Sequence, residues 1–158
     1  LFNWTNVPGQ IQMTESERKI QLGLAGEKIV TNFFSKKGFN VEISIDPYDN
    51  QKDMKVNDKT VEVKTQVPFI FKNAFTIKDN HQLKKCKNAD ALVFVQAPCS
   101  KSDKAGIFQI DKGFEYSKYT TKKKNKMILV PMNQLAVRQL ASIDGENKQI
   151  LRKYATDF

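Results

Sequence analysis

From residue 14 onward, apolar positions recur with the period of a helix. Thr14-Glu15-Ser16-Glu17 has the S/T-x-x-E form of a capping box, Ile20, Leu24, Val30 and Phe34 form an apolar stripe, and Gly38 suits a C-terminal stop, which predicts a helix over about 14–37. The period then shortens to two. Val41, Ile43 and Ile45 alternate in a strand over 40–45, followed by the turn-rich Asp46-Pro47-Tyr48-Asp49-Asn50. Strands over 53–56 and 60–65 flank Asn57-Asp58, a hairpin signal. Residues 79–89 read as a helix, and Ala91-Leu92-Val93-Phe94-Val95 is the continuous apolar run of a central strand covered on both faces. Later strands are expected over 106–110 and 127–130, joined through the basic stretch 118–126, with helical patterns over 131–142 and 145–155. This order implies one α/β domain: a mixed central sheet flanked by helices over about 14–130, then a helical segment over about 131–158.

Composition narrows the class. At 158 residues with 40% hydrophobic side chains, the chain can build one core and is not disordered as a whole. Its formal net charge of +9 favours an anionic partner such as nucleic acid or an acidic surface. Cys86 and Cys99 form no CxxC pair, which points to a reducing, intracellular setting without a zinc site or disulfide framework. No apolar run approaches the roughly 20 residues of a membrane span, and the first residues lack the charged-then-apolar order of a signal peptide.

The candidate chemistry lies in the hairpin. The tripeptide Glu-x-Lys occurs at Glu17-Arg18-Lys19, Glu62-Val63-Lys64 and Glu146-Asn147-Lys148, and only the middle copy sits in a β-branched strand. There, residues two apart share a face, so Glu62 and Lys64 project side by side; in a helix the same spacing diverges. With Asn57-Asp58 as the central turn residues, Val56 pairs with Lys59 and Asp53 falls opposite Glu62. Opposed carboxylates repel, and a hard divalent cation compensates them. Mg²⁺ takes carboxylate and carbonyl oxygens, so Asp53, Glu62 and the Val63 backbone carbonyl are its expected ligands. Glu27, set among the apolar positions of the first helix, is a third carboxylate whose burial calls for a partner.

These features resemble the PD-(D/E)xK nuclease superfamily: Ala25-Gly26-Glu27 on a first helix, Asp53 opening a strand, Glu62-Val63-Lys64 on its partner, and a helix leading into Ala89-Asp90-Ala91-Leu92-Val93-Phe94-Val95. The arrangement is similar to Holliday-junction resolvases and to small restriction-type or phage endonucleases, over roughly residues 14–97. Lys52 stands where the motif has Pro, and Asp49 or Asp46 replaces Asp53 as ligand if the hairpin register differs. The resemblance implies a restriction-endonuclease-like fold and Mg²⁺-dependent hydrolysis of DNA phosphodiesters, with Mn²⁺ as a possible substitute. In it Asp53 and Glu62 hold the metal, Lys64 orients the attacking water or stabilises charge on phosphorus, and Glu27 is the first-helix acid. Gln66, on the same face as Lys64, is expected to bond a phosphate or that water. Resolvases and many restriction enzymes work as dimers, so a homodimer is also expected.

Around this site the sequence supplies cations. Lys122, Lys123 and Lys124, within a tract that interleaves Lys with Tyr116 and Tyr119, read either as a solvated hairpin loop or as a DNA backbone contact, and Lys84 and Lys85 add charge near the hairpin. Arg18, Arg138 and Arg152 are the only arginines, which favours phosphate contacts over base-edge readout. His81, the sole histidine, reads as a surface or capping residue or a phosphate contact, and no Ser/His/Asp or Cys/His nucleophile can be assembled around it. The competing class is a non-catalytic nucleic-acid-binding module with the same fold.

Overall fold

In the computed structural model, which describes residues 13–43 and 54–155, helix α1 (Glu15–Lys36) starts at the expected capping box: Thr14 Oγ1 accepts from the Glu17 amide at 3.1 Å. It ends before Gly38, whose φ of 87° suits glycine, and the Gly38 amide donates to Ser35 O at 3.0 Å. Its buried stripe is Leu22, Gly26, Ile29, Val30 and Phe34, whereas Ile20 and Leu24 are exposed, a correction to the predicted face. Gly26 is where this stripe comes closest to β3. A Cβ there would lie 1.7 Å from Thr65 Oγ1, so only glycine allows the helix backbone this close to the sheet.

Strands β1 (Val41–Ile43), β2 (Met54–Val56) and β3 (Lys59–Gln66) form an antiparallel meander. Residues 44 and 45 of the expected first strand, the expected turn at 46–50 and Asp53 lie outside the described residues. The chain continues through a 3₁₀ turn (Ile70–Lys72), β4 (Ala74–Ile77), α2 (Asn80–Asn88) and β5 (Ala91–Gln96). Then come β6 (Gly106–Ile110), β7 (Ser117–Thr120), β8 (Lys126–Pro131), β9 (Val137–Ser142) and α3 (Gly145–Ala155).

The result is a single α/β domain with a mixed sheet, in the order β1-β2-β3-β5-β6-β9, in which, among the described residues, only β3 and β5 run parallel. Two departures from the expected layout stand out. A second, antiparallel sheet, β4-β8-β7, faces the first, so the strands do not form one sheet. The segment expected to be helical over 131–142 is a turn followed by β9, paired with β6. A register shift between Ile107 and Phe108 leaves Leu140 as an extra residue, because Ile107 pairs with Ala141 and Phe108 with Gln139. Such a bulge breaks the two-residue alternation, and Val137, Leu140 and Ala141 then mimic helical spacing. The expected helix over 145–155 is α3.

One core cluster fills the space between the large sheet and helices α1 and α3; the other lies between that sheet, the small sheet and α2. Strand β5 serves both, with Val93 and Val95 in the first and Leu92 and Phe94 in the second, as its apolar run predicts. Phe94 stacks on Phe75 of β4 with centroids 4.3 Å apart, joining the two sheets. No helix among the described residues is long and apolar enough to cross a membrane.

Candidate functional site

The hairpin forms in the expected register. Asn57 and Asp58 take positive φ angles of 49° and 66°, as a type I′ turn requires, and Val56, Lys55 and Met54 pair with Lys59, Thr60 and Val61. Asn57 also clasps β1: its amide donates to Asn40 O and its Oδ1 accepts from the Asn40 amide, both at 2.8 Å. Asp53, expected opposite Glu62, lies outside the described residues.

Alternation along β3 divides its side chains. Val61, Val63 and Thr65 face α1, whereas Glu62, Lys64 and Gln66 face the small sheet and α2. On that second face Lys64 Nζ lies 3.3 Å from Glu62 Oε1 and donates to Gln82 Oε1 of α2 at 2.5 Å. The Glu62 side chain is only 12% exposed and that of Lys64 24%, so both are held by packing as well as by charge. Gln82 is a partner that sequence periodicity could not reveal, since it joins residues 18 apart on different elements.

Glu62 lines a cleft of about 370 Å³ with Thr60 and with His81, Lys84, Lys85 and Asn88 of α2. The helix is capped by Asp79, whose Oδ1 accepts from the Gln82 amide at 2.9 Å, so His81 is left to line the cleft rather than to cap. Asp90, also missed in the sequence, anchors the start of β3 by accepting from the Thr60 amide at 2.9 Å. Beneath the site lies Cys86, whose thiol is pushed up to about 11, chiefly by burial and further by Glu62, against the pull of Lys64 and Lys85.

Other expected site residues are placed apart. Glu27, half-buried, rides on α1, which packs on the reverse face of β3 from Glu62 and Lys64. Gln66 shares the face of Lys64, but its amide is engaged with β4: Nε2 donates to Thr76 O at 2.8 Å and Oε1 accepts from the Thr76 amide at 2.6 Å. Lys122, Lys123 and Lys124 are exposed at the tip of the β7–β8 hairpin, where Thr121 Oγ1 accepts from the Asn125 amide and Lys124 has a φ of 64°.

The donors seen are hard oxygens of the kind Mg²⁺ takes. The Thr60 amide and the Gln66 carbonyl point towards β5, so by alternation the Val63 carbonyl points to the opposite edge of β3, the side of β2. Glu62 and Val63 thus supply one carboxylate and one carbonyl oxygen, the donor types that the expected metal site calls for. Among the described residues no three His, Cys, Asp or Glu side chains gather as metal ligands. Compared with protein-family models, curated proteins and solved structures, the chain matches none.

Proposed function

We propose that this chain is a metal-dependent nuclease that hydrolyses DNA phosphodiester bonds on a restriction-endonuclease-like core. The observation that carries this reading is the Glu62–Lys64 pair, set side by side on β3, with Glu62 lining a cleft edged by Lys84, Lys85 and His81. Lys84 and Lys85 attract the phosphate backbone into the cleft. Lys64, oriented by Glu62 and Gln82, presents its ammonium group to the attacking water or to the charge that develops on phosphorus. Glu62, Asp53 and the Val63 carbonyl would hold Mg²⁺ or Mn²⁺, which would supply a Lewis acid and lower the pKa of a bound water.

Helix α2 borders two lysine-lined hollows that could each take DNA backbone. Its first residues border a groove with Lys118 and Lys126 of the β7–β8 hairpin, and its body borders the Glu62 cleft. Cleavage of both strands would call for two copies of the chain. The separate thiols, Cys86 buried and Cys99 exposed, suit a reducing, intracellular setting.

The test is incubation with linear, nicked, branched and single-stranded DNA in Mg²⁺ and in EDTA. Metal-dependent cutting of any of these is expected, and its absence from all of them overturns the enzyme reading. The second reading, a binding module without catalysis, draws on the contact between Glu62 and Lys64 and on the placement of α1 behind β3. It predicts salt-sensitive binding with no cutting in either buffer.

A further inference from the structure

The turn between β3 and β4 shows its apolar residues to solvent. Ile70 is 72% and Phe71 86% exposed, an unusual setting for two large apolar side chains at a turn tip. The backbone beneath them is firmly closed. The Phe69 amide donates to Ala74 O at 2.8 Å, the Lys72 amide to Phe69 O at 3.1 Å and the Asn73 amide to Ile70 O at 3.1 Å, with Asn73 at a φ of 48°. Asn73 O accepts from the Met132 amide at 3.0 Å, and the Gln66–Thr76 bridge pins the two strands at the base. This is a rigid mount for two exposed side chains.

Its surroundings are cationic and aromatic. Lys72 Nζ lies 5.9 Å from the Phe71 ring centroid and 5.5 Å from that of Tyr119, and Phe69 and Tyr119 pack with centroids 5.8 Å apart. Tyr119 also borders the groove that Lys78, Lys118 and Lys126 line. Among the described residues, the one carboxylate lining that groove, Asp79, caps α2. Lysines for phosphates beside an exposed ring for a base are the two parts of a surface that binds unpaired nucleic acid. A membrane fits less well, since two side chains offer less apolar surface than one fatty-acyl chain, which itself binds only marginally.

We infer that Phe71, with Ile70 beside it, stacks on an unpaired or opened base while Lys72, Lys118 and Lys126 hold the flanking phosphates, so that the β3–β4 turn selects distorted over fully paired nucleic acid. The inference rests on the nucleic-acid part of the function proposed above but not on catalysis. Phe71 follows Lys64 by seven residues, so the Phe71 backbone lies at most about 25 Å from the Lys64 backbone.

The experiment compares fluorescence-anisotropy titrations of the full chain, in EDTA, with a paired DNA duplex and with the same duplex carrying a one-base bulge of 2-aminopurine. The wild type is expected to prefer the bulged form by about 5- to 150-fold, the range for one stacked base, with quenching of the 2-aminopurine. Phe71→Ala should bring that ratio close to one, and Phe71→Trp should restore it. An unchanged ratio in Phe71→Ala, or no wild-type preference, overturns the stacking role while leaving the nucleic-acid reading in place. Failure of the wild type to bind either DNA overturns both. Anionic vesicles run in parallel; binding to them that Phe71→Ala abolishes, with no change on DNA, assigns the turn to membranes and also overturns the inference.

Discussion

The Gln66 side chain pairs with the Thr76 peptide group as another peptide would, donating to its carbonyl at 2.8 Å and accepting from its amide at 2.6 Å. A side chain thus supplies a ladder rung between strands of two different sheets. Gln66→Ala leaves the Thr76 donor and acceptor without this partner, which should lower stability by about 1–3 kcal/mol. Urea unfolding of wild type and variant measures the loss. A difference below about 0.5 kcal/mol would mean that water replaces the bridge at no cost.

Lys64 is expected to act in chemistry and not in binding. Lys64→Ala should lower the cleavage rate by about 10²- to 10³-fold with DNA affinity in EDTA little altered. Gln82→Ala, which removes the acceptor that holds the Lys64 ammonium group, should have a smaller effect, and Gln82→Glu should recover part of it by keeping an acceptor. Cleavage at the wild-type rate in Lys64→Ala places the site elsewhere.

The lysines at the β7–β8 tip are expected to contribute through phosphates. Replacing Lys122, Lys123 and Lys124 with Ala should weaken binding on all sequences and flatten its dependence on salt, by up to about one unit of log–log slope for each phosphate no longer neutralised. Titrations at several salt concentrations measure the slope. If it is unchanged, these side chains belong to solvent.

Cys86 links the site to alkaline stability. Its thiol is raised from 9.0 to about 11, so between these values the folded chain keeps a proton that the unfolded chain releases. The resulting stabilisation is complete below pH 9 and is lost as the pH rises towards about 11. Cys86→Ala costs packing at every pH but should show a shallower alkaline decline than wild type, measured by denaturation across that range. At neutral pH the exposed Cys99 should react with a thiol reagent at once and Cys86 only on unfolding.

What could be read from the chain was whatever rested on local periodicity and turn chemistry. The Thr14 cap, the Asn57-Asp58 turn, the hairpin register and the central run of β5 all arise from neighbours in sequence. The shared face of Glu62 and Lys64 followed from the same alternation. The rest depended on tertiary pairing. Strand β4 has four residues, β7 lies within a lysine tract that reads as loop, and β9 carries a bulge that imitates a helix. The buried face of α1 includes a glycine, which carries no hydrophobic signal, in close contact with β3, and Gln66 and Gln82 took their roles from distant elements.

Strand β5 sends alternate side chains into both cores and lies between β3 and β6, so neither layer can open without exposing it. Local fluctuations can fray β1 or the β7–β8 tip, but release of the β5 amides requires both cores to open together. Its hydrogen exchange should therefore follow global unfolding, with the Val93–Val95 amides among the slowest in the molecule. Two sheets with two separate apolar clusters would then melt in one transition, because they share a single strand as their common wall.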